Sequence, residues 1–278
     1  MKLLFDRISQ ASSKIVTTTY STSFSLGIRC LHKKFHTPIY GIYGFVRLAD
    51  EIVDSFHEYD KETLLQDFKE GTYKAIDQKI SLNPILNSFQ HVVRDYQIEN
   101  ELIERFLASM EMDLNDKQHS SGSYDEYILG SAEVVGLMCL RVFLENDEQR
   151  YQHLKPFAMK LGAAFQKINF LRDLKNDYEV LGRVYFPELD LSVFSEQSKA
   201  AIEADIELDF NAALVGIKQL PCSSRFGVYV AYVYYRTLFN KIKSVSSAKI
   251  MGERIRIPNT QKISLLAGSY FKYRLGWL

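Results

Sequence analysis

Apolar residues in this chain recur at helical intervals rather than in alternation. The residues that interrupt such a pattern are scarce, with 6 Pro and 14 Gly in 278 positions. A fold built on sheets is excluded, and an all-α protein is expected. Helices are read at about 3–19, 23–31, from HTPIYG through Asp54, and at 61–78, 83–95, 99–115, 123–145, 150–178, 195–219, 223–243 and 260–273. Pro38 stands where the start of a helix favours proline. Breaks fall at polar clusters such as NDKQHSSGS and SVSSAK, and PELDLSVF, from Pro187 on, reads as an irregular connection. No linker-like composition divides the chain, so 1–278 is read as one domain. Long helices packed side by side leave a central space between their apolar faces, where ligand and metal sites are placed.

With 46% hydrophobic and 24% charged residues, the chain can build a core that encloses a sizeable apolar ligand. A formal net charge of zero gives no global electrostatic reason to bind nucleic acid. The charge is unevenly spread: from Arg236 onward there are nine Lys or Arg and one acid, Glu253. That region is either a solvated basic surface or one that meets an anionic substrate or membrane headgroups. Cys30, Cys139 and Cys222 lack the close pairs of zinc sites and are expected to be buried, reduced thiols. MKLLFDRISQ offers no signal-peptide core, so a cytoplasmic location is expected, with peripheral contact at the inner face of a membrane. FGVYVAYVYY (226–235), the longest strongly apolar run, is about half a membrane span and reads as a buried helix. The sequence carries no signal for an oligomeric state.

Two segments speak to function. YGFVRLADEIVD (43–54) and QKINFLRDLKND (166–177) each place two aspartates four residues apart, with a polar residue seven positions before the first. At about 100° per residue, Tyr43, Arg47, Asp50 and Asp54 share one helix face, and Gln166, Asn169, Asp173 and Asp177 share another. Glu51 points away from this stripe and is read as peripheral. Packed antiparallel, two such helices bring four carboxylates to one mouth, where they can hold hard divalent cations that bind a diphosphate. Carboxylates at this spacing face water, a partner charge or a metal, since burying one unpaired costs several kcal/mol. Arg47 and Arg172, beside the acids, either neutralise them or take phosphate oxygens bidentately. His32 and His36 could chelate a metal at i and i+4, but Lys33, Lys34 and Pro38 favour a basic loop.

YSTSF (20–24), YGFVRLADEIVD and QKINFLRDLKNDYEVLGRVYFP (166–187) resemble the squalene and phytoene synthase family of trans-isoprenyl diphosphate synthases. The likeness runs from about Thr19 to Arg256, and within the family it is strongest to the bacterial phytoene synthases. It implies a single-domain, all-α isoprenoid-synthase bundle around a central cavity. It also implies head-to-head coupling of two prenyl diphosphates through a cyclopropylcarbinyl diphosphate. The substrate is geranylgeranyl diphosphate for phytoene or farnesyl diphosphate for squalene and dehydrosqualene, and the phytoene reaction needs Mg²⁺ or Mn²⁺ and no NADPH. On matching positions, the resemblance assigns the metal cluster to Asp50, Asp54, Asn169, Asp173 and Asp177. It assigns diphosphate contacts to Ser23, Arg47, Arg172, Arg183, Tyr235 and Arg254, and the reaction centre to Tyr43, Gln166 and Tyr127. YILGSAEVVG (127–136) departs from the family's Val-Ala-Gly-x-Val-Gly, with Glu133 in place of a glycine. A chain-elongating prenyltransferase or terpene cyclase, with an Asp-Asp-rich first motif, fits less well.

Overall fold

The computed structural model describes residues 1–115, 120–187, 189 and 194–275. Most of the expected connection PELDLSVF and part of NDKQHSSGS lie outside them. The described residues form helices α1 (Lys2–Tyr20), α2 (Thr22–Arg29), α3 (His36–Ser55), α4 (Lys61–Gln78), α5 (Pro84–Asp95), α6 (Asn100–Asn115), α7 (Ser121–Ile128), α8 (Val134–Leu144), α9 (Glu148–Asn176), α10 (Glu196–Gln219), α11 (Cys222–Lys243), α12 (Ser247–Gly252) and α13 (Asn259–Arg274). Most starts have a local cause. Ser21, Asp60, Asn83, Asp147 and Ser195 each accept a backbone N–H from the first turn of the helix that follows, satisfying donors that have no partner in the helix itself.

Three features depart from the sequence expectation. The helix read over 123–145 is one rod interrupted by a π turn at Leu129–Glu133, and α9 runs into a second π turn at Asp177–Leu181. The break expected at SVSSAK (244–249) is only three residues long, because α12 begins within it at Ser247. Finally, the most apolar helix is not α11. Ser121–Leu144 is the described stretch long and apolar enough to cross a membrane: 18 consecutive residues within it have mean hydropathy 1.7, and 67% of those are buried. His32–His36 form a tight turn as expected, with His32 Nδ1 accepting from the Lys34 amide at 3.3 Å.

Two apolar clusters flank a central space. One gathers α3 to α6 and α8 around Phe45, Phe89 and Phe106, with Phe45 stacked on Phe89 at 3.9 Å. The other gathers α9 to α11 around Phe170, Phe210 and Phe239. The direction of the two acidic helices corrects an expectation. Phe35, just before α3, packs on Phe143 near the end of α8 at 5.7 Å, and only residues 145–147 separate α8 from α9. The starts of α3 and α9 therefore lie at the same end of the molecule. Their far ends meet as well, because Arg183, just beyond α9, pairs with Asp54 at 2.8 Å. These helices run in the same direction, not antiparallel, and still deliver their acids to one mouth. Of the cysteines, Cys30 and Cys139 are half-buried, but Cys222 is exposed, contrary to expectation, because it opens α11 at the surface. Burial pushes the Cys139 thiol up to about 12.

Candidate active site

A cavity of ≈530 Å³ lies between the two clusters. Its walls are stripes at helical spacing: Ile39, Ile42, Tyr43, Val46, Arg47 and Asp50 on α3, and Leu154, Phe157, Leu161, Phe165, Gln166, Asn169 and Arg172 on α9. Both stripes begin apolar and end polar. Because the helices share a direction, the cavity has an apolar floor and a polar mouth. The π turn contributes Ser131 and Ala132 to the wall beside α9. Two glycines let this wall pack closely: a Cβ on Gly130 would stand 2.6 Å from the Arg105 carbonyl, and one on Gly162 would stand 2.6 Å from the Ala132 carbonyl.

At the mouth, the arginines are paired with acids. Arg172 donates from Nε to both oxygens of Asp173 at 3.1 Å, and Arg254 Nε reaches Asp173 Oδ1 at 2.6 Å. Arg47 pairs with Glu51 and lies 3.9 Å from Asp50, with its guanidinium 4.3 Å above the Tyr20 ring. Glu51 is therefore not peripheral: one helical turn from Arg47, it holds that side chain at the cavity edge. Tyr235 stacks on Phe165 at 3.9 Å and donates to Asn169 Oδ1 at 3.3 Å, while Asn169 Nδ2 donates to Gln166 Oε1 at 3.4 Å. Tyr43 packs on Phe24 at 5.6 Å, and burial pushes its hydroxyl up to about 12.

Ser23 stands in the first turn of α2 and is absent from the cavity wall; Ser21, the residue that caps α2, lines it. Asp54, Asp173, Asp177 and Arg183 stand behind or beyond the wall rather than on it. Arg183 is buried and committed to protein acceptors: Asp54 at 2.8 Å, the Val53 carbonyl at 3.3 Å, and Asp113 at 3.5 Å.

Asp113, on α6, is the residue that sequence reading missed. It is 8% exposed and accepts from the Tyr127 hydroxyl at 2.7 Å and the Tyr185 hydroxyl at 3.0 Å. Tyr185 in turn stacks on Phe170 at 4.0 Å. A signal was present: Ile103, Phe106, Leu107 and Met110 form the buried stripe of α6, and Asp113 continues it at the next helical step. An acid on an apolar stripe demands a partner.

The mouth is short of positive charge. Burial and the neighbouring carboxylates push Asp50 up to about 7, Asp177 to about 8 and Asp113 to about 6. The C-terminal ends of α3 and α9, where backbone carbonyls leave partial negative charge, point at the same place. Among the described residues no three acidic, His or Cys side chains stand close enough to hold one ion between them. The donors present are hard oxygens in pairs, the kind of set that binds Mg²⁺ when a phosphate completes the shell.

Comparison with known proteins agrees with this geometry. The model of the squalene/phytoene synthase family matches residues 17–261. The chain is 23% identical over 287 residues to the phytoene synthase of Arthrospira platensis, covering 94% of this chain and 92% of that protein. It is 32% identical over 181 residues to the presqualene diphosphate synthase of Sinorhizobium fredii, covering 63% of this chain and 61% of that protein. The crystal structure of a dehydrosqualene synthase in complex with ligand superposes with a TM-score of 0.83 at 20% identity, covering 97% of this chain and 98% of that one. That likeness gives the fold, an all-α isoprenoid-synthase bundle, and the family model gives the lineage: the chain belongs to the squalene/phytoene synthase family.

Proposed function

We propose that this protein couples two molecules of geranylgeranyl diphosphate head to head to give phytoene, with Mg²⁺ as its metal and without NADPH. The observation that carries the reading is the polarity gradient along one cavity: Asp50, arginines, Gln166 and Asn169 at the mouth, and Leu, Ile and Phe side chains from there to the floor. An amphiphile with an anionic head and a long apolar tail matches that gradient.

Asp50, Asp54, Asn169, Asp173 and Asp177 would hold the metal, which when bound supplies Lewis-acid neutralisation of the departing diphosphate. Arg47, Arg172 and Arg254 are already at the mouth in ion pairs with Asp50 and Asp173, placed to exchange a carboxylate for a diphosphate oxygen. Arg183 instead aims Asp54 from behind. Loss of diphosphate leaves an allylic cation, and the wall beside it keeps water away while Tyr43, Phe165 and Tyr235 offer aromatic faces to the charge. Asp113 fixes the direction of the Tyr127 hydroxyl at the edge of that layer.

A farnesyl substrate with a C30 product is the second reading, favoured by the 32% identity to a protein named presqualene diphosphate synthase. Incubation of purified protein with Mg²⁺ and C15 or C20 diphosphate, with and without NADPH, separates the two by mass spectrometry. A C40 hydrocarbon from C20 substrate without NADPH is expected, and Asp50→Ala or Asp173→Ala should abolish it in a protein that remains folded. Product from C15 substrate alone would overturn the geranylgeranyl assignment, and full activity in either variant would remove the metal site.

A further inference from the structure

A lysine and an aspartate stand on the buried stripes of two neighbouring helices, away from the cavity. On α9, Lys167 is 7% exposed and shares a stripe with Ala163, Ala164 and Leu171, all buried. On α10, Asp209 is 2% exposed and shares a stripe with Ile206 and Ala213. The two meet at 2.7 Å, and the other oxygen of Asp209 takes the exposed Lys160, two turns earlier on α9, at 2.9 Å. Lys167 also pairs with Asp205, one turn before Asp209. One carboxylate of α10 thus holds two points of α9. Replacing a buried ion pair by apolar side chains of similar volume commonly leaves stability unchanged or higher, so stability is not what such a pair supplies.

The pairs lie behind the cavity face of α9. Lys160, Lys167, Asp205 and Asp209 are absent from the cavity wall, whereas Leu161, Gly162, Phe165, Gln166 and Asn169, from the same stretch of α9, line it. At about 100° per residue, Lys167 points about 160° away from Asn169. On the cavity side this stretch is held loosely. The π turn meets it at Gly162, which offers no side chain to grip, and the polar bonds are long: Tyr235 to Asn169 at 3.3 Å and Asn169 to Gln166 at 3.4 Å. The ion pairs at the back are therefore what sets the rotation of α9 about its own axis. With side-chain atoms about 5 Å from that axis, a rotation of about 10° moves Gln166 and Asn169 by about 1 Å. A displacement of that size costs about a hundredfold in rate.

We propose that Lys167 and Asp209 are positioning residues: their ion pair, with Lys160 as a second tether, fixes the rotation of α9 and so aims Gln166 and Asn169 into the cavity. The consequence for turnover rests on the prenyl diphosphate reading above; the aim of the two amides does not.

Two variants of the full-length protein separate aim from stability. Asp209→Asn should lower kcat about tenfold with KM within about threefold. The double variant Lys167→Met, Asp209→Leu replaces the pair by apolar side chains and should melt at or above the parent temperature. Its kcat should nevertheless stay about tenfold below that of the parent. A second readout needs no substrate. The side-chain amide resonances of Gln166 and Asn169, assigned by NMR through Gln166→Glu and Asn169→Asp, should shift in both variants, while that of Asn87 on α5 stays in place. A double variant that regains the parent kcat along with its stability would make the pair a packing element and overturn the proposal. Unmoved Gln166 and Asn169 amides would overturn it as well. Asp209→Asn carries the same two readouts if the double variant does not fold. A parent without turnover would remove the prenyl diphosphate reading and leave the amide resonances to decide the aim.

Discussion

Asp113 shows how one side chain can organise several. It accepts both tyrosine hydroxyls and balances Arg183, so the direction of Tyr127 and the aim of Asp54 depend on a carboxylate that is absent from the cavity wall. Asp113→Asn keeps the shape and removes the charge. Its kcat is expected to fall about a hundredfold, the scale of a small misplacement of catalytic groups, with KM within about threefold and the melting temperature little changed. Steady-state kinetics beside a thermal melt checks this, and a large loss of stability with kcat intact would make the residue a packing element only. The aspartate pairs were legible in the sequence because they repeat a spacing. Asp113 repeats nothing, and only its place on the apolar stripe of α6 gives it away. Ser21 and Ser23 were not separable by type or spacing; the capping geometry at the start of α2 decides which of them reaches the cavity.

At the scale of elements, helix positions were legible because apolar periodicity over many residues outweighs any local accident. The π turns were not, because one extra residue in a turn leaves no mark on composition. They fall after Ile128 and after Asn176, beside Tyr127 and at Asp177, so each irregularity sits next to a residue of the proposed site. The shared direction of α3 and α9 was hidden too, since it depends on the path of the five intervening helices. Attachment of α1 offers a test of its own. Asp6 is held down to about 2, first by the Lys2 ammonium and also by Asn87 and His91 of α5. A carboxylate whose pKa falls on folding stabilises above its unfolded value, near 3.9, and loses that contribution as pH drops through its folded value. Asp6→Asn is therefore expected to lower the melting temperature by about 2–4 °C at pH 7, a gap that narrows between about pH 4 and pH 2. Melts of both proteins across that range check the sign.

At the scale of the whole molecule, family membership and an all-α bundle followed from motifs and periodicity together, while the cavity's depth depends on residues that carry no motif. Cys139 is one of them, on the wall between Gly136, which packs on Ala158, and Phe143, which packs on Phe35 at the floor end. Cys139→Phe should shorten the accessible depth and turn substrate preference toward C15 over C20 by about tenfold, read from product ratios in a mixed-substrate assay. The parallel run of α3 and α9 gives this a wider meaning. Two measuring rods laid side by side with their zeros aligned can be recalibrated at the far end without moving the zero. Ile39 and Leu154 mark that far end, and Asp50 and Arg172 the zero. Lineages built on this frame can diverge in the length of what they make by single substitutions remote from the carboxylates, while the reaction at the mouth is inherited unchanged.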